Sequence, residues 1–293
     1  MMHWIESIQY WMEQTLRTIC RLLILGVSIA GLILLLVDGV NKFFTSSDFT
    51  VEEITIQGAQ RVSNEEIYSL TAIAPGSNIW LLNIPEISAR LESHPSIRSA
   101  SVQRIPPKRI HVEIEERSLL AFYLTETGEL MGLDEQGVAL PPPASFNESS
   151  PSKPIDETDA QTVLSLPLIS GDIILPATPG GRIDDPYGLT VLSFLHQLQI
   201  QSPDFFREIV QGEFQTDRNF ILHLRRRIGA LILRDFQSPD LITKILTFWR
   251  ALEKEDLRAV YVDGRFPEKG FAVKPDVSQG AQWERLYKRN ETI

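Results

Sequence analysis

Residues 22–37 read Leu-Leu-Ile-Leu-Gly-Val-Ser-Ile-Ala-Gly-Leu-Ile-Leu-Leu-Leu-Val, with no charged side chain. A stretch this apolar on every side constrains the chain more than any other feature, because water gives such a helix no polar face to solvate. Extended to residues 18–40 it is long enough to cross a hydrocarbon core of about 30 Å as one helix. Trp4, Tyr10 and Trp11 lie before it, and Phe43, Phe44 and Phe49 after it. Aromatics flanking an apolar run in this way suit the two membrane–water interfaces. A buried core helix is the alternative, and it does not need apolar side chains all round. A cleaved signal peptide is the other alternative. It is disfavoured by a long leading region with two tryptophans and by the absence of a small-x-small site after Val37. The expectation is an uncleaved single-pass anchor. Arg17 and Arg21 precede the charge-free run and Lys42 follows it, a slight bias toward a cytoplasmic N-terminus. Residues 1–17 are then a cytoplasmic tail, and everything after about residue 42 lies outside the cytoplasm.

Composition narrows what the remainder does. Asp and Glu outnumber Lys and Arg by 38 to 28, a formal charge of -10 over 293 residues. A nucleic-acid binder needs a basic face to neutralise phosphates, so this balance argues against one. The single cysteine, Cys20, can form neither an intramolecular disulfide nor a cysteine-based zinc site.

Beyond the span, Ile54 and Ile56 alternate with Glu53, Thr55 and Gln57 as a half-buried strand does. Ser63 and Glu66 have capping-box spacing, and Ile67, Leu70 and Ala74 continue at helical spacing. Pro75-Gly76 breaks that helix. Asn83 and Pro85 open a second one, with Ile84, Ile87 and Leu91 on one face. Ala100 and Val102, then Ile110, Val112 and Ile114, alternate with polar residues on either side of Pro106-Pro107. The order is strand, helix, helix, strand, strand, with one wet face on the sheet.

The stretches "ITIQGAQRVS", "GSNIWLLNI" and "HPSIRSASVQRIPPKRIHVEIEER" resemble a POTRA domain, and specifically that of the FtsQ/DivIB family of bacterial division proteins. The Pro-x-x-Ile-x-Val-x-Ile-x-Glu-Arg pattern that starts at Pro107 and ends at Arg117 is the most specific part. The resemblance continues through "LMGLDEQGVAL", "LPLISG" and "VYVDGRFPEKGFAV". Three departures stand out. Gly264 replaces an apolar residue, Phe266 replaces a common tyrosine, and Arg234 stands where a glycine is typical.

From residue 118 the pattern is a hairpin, then several strands with two intervening helices. One helix carries Leu189, Leu192 and Leu195. The other starts at Ser238-Pro239 and carries Leu241, Ile245, Phe248 and Leu252. Residues 141–165 hold five Pro and five Ser and read as a disordered insertion. The expected class is α+β: one N-terminal transmembrane helix (18–40), a POTRA domain (48–117), an FtsQ-type antiparallel β-rich domain (118–275) and a C-terminal tail (276–293).

No residue set with catalytic, cofactor or metal-ligand spacing emerges. There is no G-x-S-x-G elbow, the five histidines are scattered, and Glu113, Glu115 and Glu116 read as a wet strand face. Gly180-Gly181 lacks the Lys-Ser/Thr of a phosphate loop. The expectation is a binding protein that is not an enzyme and carries no cofactor. The last strand pair could offer a sheet edge to a partner strand, with Arg265 and Phe266 as anchors. Equally, Lys269, Lys274 and Pro275 could blunt that edge. The resemblance decides for the first reading. It implies a divisome scaffold at the septum, in the cell inner membrane with its domains in the periplasm. That scaffold would bind the FtsB part of an FtsB–FtsL pair through Arg265, Phe266, Gly270, Phe271 and Val273. It also implies recruitment through Val102 and Arg104. The alternatives are a POTRA-bearing envelope-assembly or transport scaffold and, from another class, a membrane-anchored periplasmic hydrolase.

Overall fold

A computed structural model of the chain describes residues 2–141, 165–265 and 270–284. Most of the Pro/Ser segment, Phe266, Lys269 and the chain beyond 284 lie outside these residues. Helix α1 runs over Met2–Thr45 as one continuous helix, about 66 Å long at 1.5 Å per residue. Within it Arg21–Thr45 is long and apolar enough to cross a membrane once, and no part of its most apolar window is buried by the rest of the chain. That exposure removes the buried core helix as an explanation. The chain divides into two compact units, Met1–Leu91 with Ala100–Ile114, and Glu92–Ser99 with Glu115–Ile293.

The first unit carries β1 (Glu53–Gln57), α2 (Asn64–Thr71), α3 (Ile84–Glu92), β2 (Ile97–Ile105) and β3 (Arg109–Glu116), in the expected order. Ser63 caps α2 as its spacing predicts, its hydroxyl accepting the Glu66 N–H at 3.2 Å. Ala72 ends that helix in the left-handed region at φ 49°. The sheet order is β1-β3-β2. β1 and β3 run parallel with Ile54 opposite Ile110 and Ile56 opposite Val112. The clean alternation of β3 buries Ile110, Val112 and Ile114, and Ile67, Ile79, Ile87 and Leu91 of the same unit are buried too. Burying these side chains supplies the main stabilisation, about 1.5–3 kcal/mol each.

The second unit is built on a nine-stranded sheet in the order β12-β11-β10-β9-β8-β7-β4-β5-β6. The strands are β4 (Ala121–Leu124), β5 (Leu130–Leu133), β6 (Ala139–Leu140), β7 (Leu168–Gly171), β8 (Ile209–Phe214), β9 (Phe220–Leu224), β10 (Ile228–Leu233), β11 (Ala259–Asp263) and β12 (Ala272–Pro275). The sheet is mixed. β4 with β7, β7 with β8, and β10 with β11 are parallel, and the other pairs are antiparallel. Two of the parallel joints need helical crossovers. α4 (Pro186–Gln201) and α5 (Pro203–Glu208) connect β7 to β8, and α6 (Leu241–Lys254) connects β10 to β11.

Two helices were expected here and three form among the described residues, because Ser202-Pro203 both ends α4 and opens α5 with proline in its first turn. α6 also differs in its start. The Leu241 N–H bonds the Ser238 carbonyl at 3.1 Å, so 238–240 is a turn. The helix begins after Asp240 without a side-chain cap. Its predicted stripe does face the core, with Leu241, Ile245 and Leu252 buried and Phe248 packed against them. Beyond Pro275, where a tail was expected, the chain turns back. Trp283 is buried and its indole N–H donates to the Arg258 carbonyl at 3.0 Å.

Candidate partner-binding edge

β12 is the last strand of the nine-stranded sheet and pairs with β11 alone among the described strands. It is antiparallel to β11, with Ala272 opposite Asp263, Val273 opposite Val262 and Lys274 opposite Tyr261. Ala272 and Lys274 face solvent, while Val273 is half-buried against the core. A strand in this position leaves one row of backbone N–H and C=O groups unpaired within its own sheet.

The predicted site residues fall into different environments. Phe271 packs inward, its ring 5.3 Å from that of Phe248 on α6. Gly264 explains how it fits. A Cβ at that position would lie 2.8 Å from the Phe271 ring and 3.1 Å from Leu233 Cδ2. The apolar side chain missing at 264 is therefore replaced in space by the Phe271 ring. Gly270 adopts φ +84°, with nothing among the described residues within 4 Å of a hypothetical Cβ. Its backbone conformation, and not close packing, calls for glycine.

Arg265 grips the end of β11. Its Nε donates to Asp263 Oδ1 at 2.9 Å and its Nη2 to Oδ2 at 2.6 Å, while its backbone N–H reaches Oδ1 at 3.1 Å. The guanidinium hydrogen bonds hold the Asp263 carboxyl below the usual carboxylate range against the opposing effect of burial. Arg265 is thus fixed at the end of β11 instead of reaching freely outward. Phe266 lies outside the described residues. Arg234 has no left-handed φ, so its turn does not need the glycine that the resemblance led one to expect.

Two residues of this edge escape a reading of the sequence. Val260 and Tyr261 are both exposed, at 47% and 39%, although neighbours on a regular strand point to opposite faces. A register shift between 259 and 261 puts them there. The signal is Gly229 on β10, where a Cβ would lie 2.5 Å from the Val260 carbonyl oxygen. Glycine inside a strand marks such close approaches. The Lys274 ammonium lies 5.8 Å from the centre of the Tyr261 ring, within cation–π range. The edge thus presents an aromatic, a cation and an aliphatic side chain together.

The other predicted pair lies on β2, an outer strand of the three-stranded sheet. Val102 is buried. Arg104 donates from Nε to the Ile79 carbonyl at 2.8 Å and from Nη2 to the Leu82 carbonyl.

Residues 49–117 match the family model described as POTRA domain, FtsQ-type. Among similar proteins, the cell division protein FtsQ of Myxococcus fulvus is 32% identical over 127 residues, which cover 43% of this chain and 39% of the relative. FtsQ of Syntrophotalea carbinolica is 35% identical over 101 residues, covering 32% of this chain and 36% of the relative. These matches span about two-fifths or less of the relatives' own length. FtsQ of Rhodothermus marinus is similar over a longer stretch, 27% identical over 241 residues that cover 80% of this chain and 78% of the relative. The fold of the first unit agrees with the matched POTRA segment, and the chain is similar to FtsQ cell division proteins over these stretches.

Proposed function

We propose that the chain is a non-catalytic scaffold of the division machinery. It is anchored by residues 18–40 with its N-terminus in the cytoplasm, and it carries the POTRA domain (48–117) and the β domain (118–275) in the periplasm at the septum. The β12 edge takes up a strand of an FtsB-like protein, itself paired with an FtsL-like one. The observation that carries this reading is the position of β12 at the end of the sheet with solvent-facing Ala272 and Lys274. Strand addition gains affinity from main-chain hydrogen bonds and specificity from alternate side-chain contacts. Val260, Tyr261 and Lys274 supply those contacts on the described surface. Arg265 is held at the end of β11, Gly270 takes a left-handed backbone ahead of β12, Phe271 and Val273 brace the strand from the core side, and Phe266 adds the apolar anchor. Recruitment uses the β2 edge. Val102 shapes it from within, and Arg104 shapes it through the 79–82 loop.

The test is binding of an FtsB-like peptide to the full chain in detergent, read by fluorescence anisotropy. Phe266→Glu should weaken binding by about 30-fold or more, the effect of losing a hot-spot side chain. Ile174→Glu, at a 92% exposed position away from the edge strands, should leave affinity unchanged. Equal affinity of Phe266→Glu and the unaltered chain would rule out this edge as the site.

A further inference from the structure

The first unit has an apolar loop that neither its core nor the edge strands account for. Between Glu66 and Glu86 no residue carries a charge, although the chain as a whole is strongly acidic. Part of this stretch forms α2. Residues 72–82 form a loop that gives Ile79 to the core and leaves Trp80 39% and Leu81 65% exposed. Exposed neighbouring apolar side chains in a charge-free loop need a partner.

The partner is indicated by where the loop is fixed. Asn78, itself buried, donates from Nδ2 to the Phe44 carbonyl at 2.8 Å. That carbonyl belongs to the last turn of α1, where intrahelical partners run out. The Asn78 Oδ1 accepts the Trp80 N–H at 2.9 Å. The backbone just after α1 runs alongside the same loop. Thr50 bridges Asn78 antiparallel, the Ile79 N–H donates to the Phe49 carbonyl at 2.8 Å, and the Val51 N–H to the Ser77 carbonyl at 2.9 Å. The Phe43 and Phe49 rings lie 4.6 Å apart, and Trp80 sits 6.2 Å from each. Arg104 Nε also donates to the Ile79 carbonyl at 2.8 Å. The loop therefore moves with the end of α1.

α1 sets its depth. The Asp38–Lys42 ion pair, exposed at 2.9 Å, marks where the helix enters a polar layer. Phe43 lies five residues beyond Asp38 and three beyond Val40, so its ring stands roughly 5–8 Å past the hydrocarbon edge. The headgroup layer on one side of a bilayer is about 5–8 Å thick. Trp80, its ring 6.2 Å from that of Phe43, is held within this layer, where tryptophan is favoured, and the exposed Leu81 next to it can reach from there toward the acyl chains.

We propose that the 72–82 loop is a second membrane contact. In it Trp80 and Leu81 enter the boundary between phospholipid headgroups and acyl chains beside the exit point of α1, and so tie the first unit to the bilayer surface. This rests on the reading of α1 as the membrane span, and the test separates the two.

The full chain, with Cys20→Ser, is reconstituted in nanodiscs of phosphatidylcholine and phosphatidylglycerol and carries one nitroxide label, at Leu81→Cys or at Leu36→Cys. Collision with oxygen and with a water-soluble nickel chelate reports depth. The Leu81 label should give an oxygen-to-nickel ratio several-fold above that of free label in water and below that of Leu36. A Leu81 label at the water value, with Leu36 at the bilayer value, overturns the loop contact alone. Both labels at the water value overturn the span and the loop contact together. A Leu81 label shielded from both quenchers, as by a protein partner or a second copy of the chain, also overturns the lipid contact.

Discussion

Asp134 is 1% exposed, and its carboxylate is fully engaged. Oδ1 accepts the backbone N–H of Gln136 at 2.9 Å and of Val138 at 2.7 Å, and Oδ2 accepts Arg117 Nη1 at 2.7 Å. The aspartate shapes the hairpin turn and joins it to the arginine that ends the Pro107 pattern. A buried charge that loses its partner is costly, so Asp134→Ala should destabilise the chain by about 3–5 kcal/mol. Asp134→Asn should cost less, because it keeps an oxygen for the two backbone N–H groups. Urea unfolding of the full chain in detergent, followed by tryptophan fluorescence, measures both. Equal midpoints for Asp134→Ala and the unaltered chain would contradict the account. The sequence makes the turn legible in "LDEQG", yet the pairing with Arg117 is not, because hydrophobic period says nothing about which polar ends meet across 17 residues.

At the scale of elements, helices and strands fall close to where periodicity and capping residues predict them, and strand direction does not. Alternation identifies the inward face of β3 or β9 and leaves open whether the neighbour runs up or down. Gly58 illustrates the gap. As sequence it only punctuates β1. In the fold it adopts φ +90°, and a Cβ there would lie 2.0 Å from the Ile114 carbonyl oxygen at the end of β3. Gly58→Ala therefore meets both backbone strain and a steric clash, and should cost well over about 1 kcal/mol. Gly76→Ala, at φ +86° with open space around it, meets strain alone and should cost about 1 kcal/mol. Thermal melts of the two full-length variants should put Gly58→Ala clearly lower, and equal melting temperatures would count against the close approach.

At the scale of the whole molecule, one helix determines what kind of protein this is. Among the described residues nothing covers the exposed side chains of residues 22–37, and their length and apolarity suit a membrane crossing. Arginine near the centre of a span costs about 2.5–3.5 kcal/mol per residue. Replacing Leu32 and Leu35 together by arginine should shift the chain out of the carbonate-resistant membrane fraction. Retention of the double variant in that fraction would show that another segment holds the chain there.

Sequence alone was enough for the long apolar helix, the β-α-α-β-β order of the first unit, the core stripes and the likeness to FtsQ-type POTRA domains, because each is written in local period, in caps and breakers, or in short motifs. Tertiary structure alone decided which strand closes the sheet, which pairs are parallel, and that the register shift at Val260 exposes Tyr261 beside it. It also decided that Phe271 fills the space of the side chain missing at Gly264, and that Arg104 serves the loop beside α1. All of these are contacts between residues far apart in the chain. A hydrophobic pattern specifies which face of an element is buried, and only the folded packing specifies what that face meets.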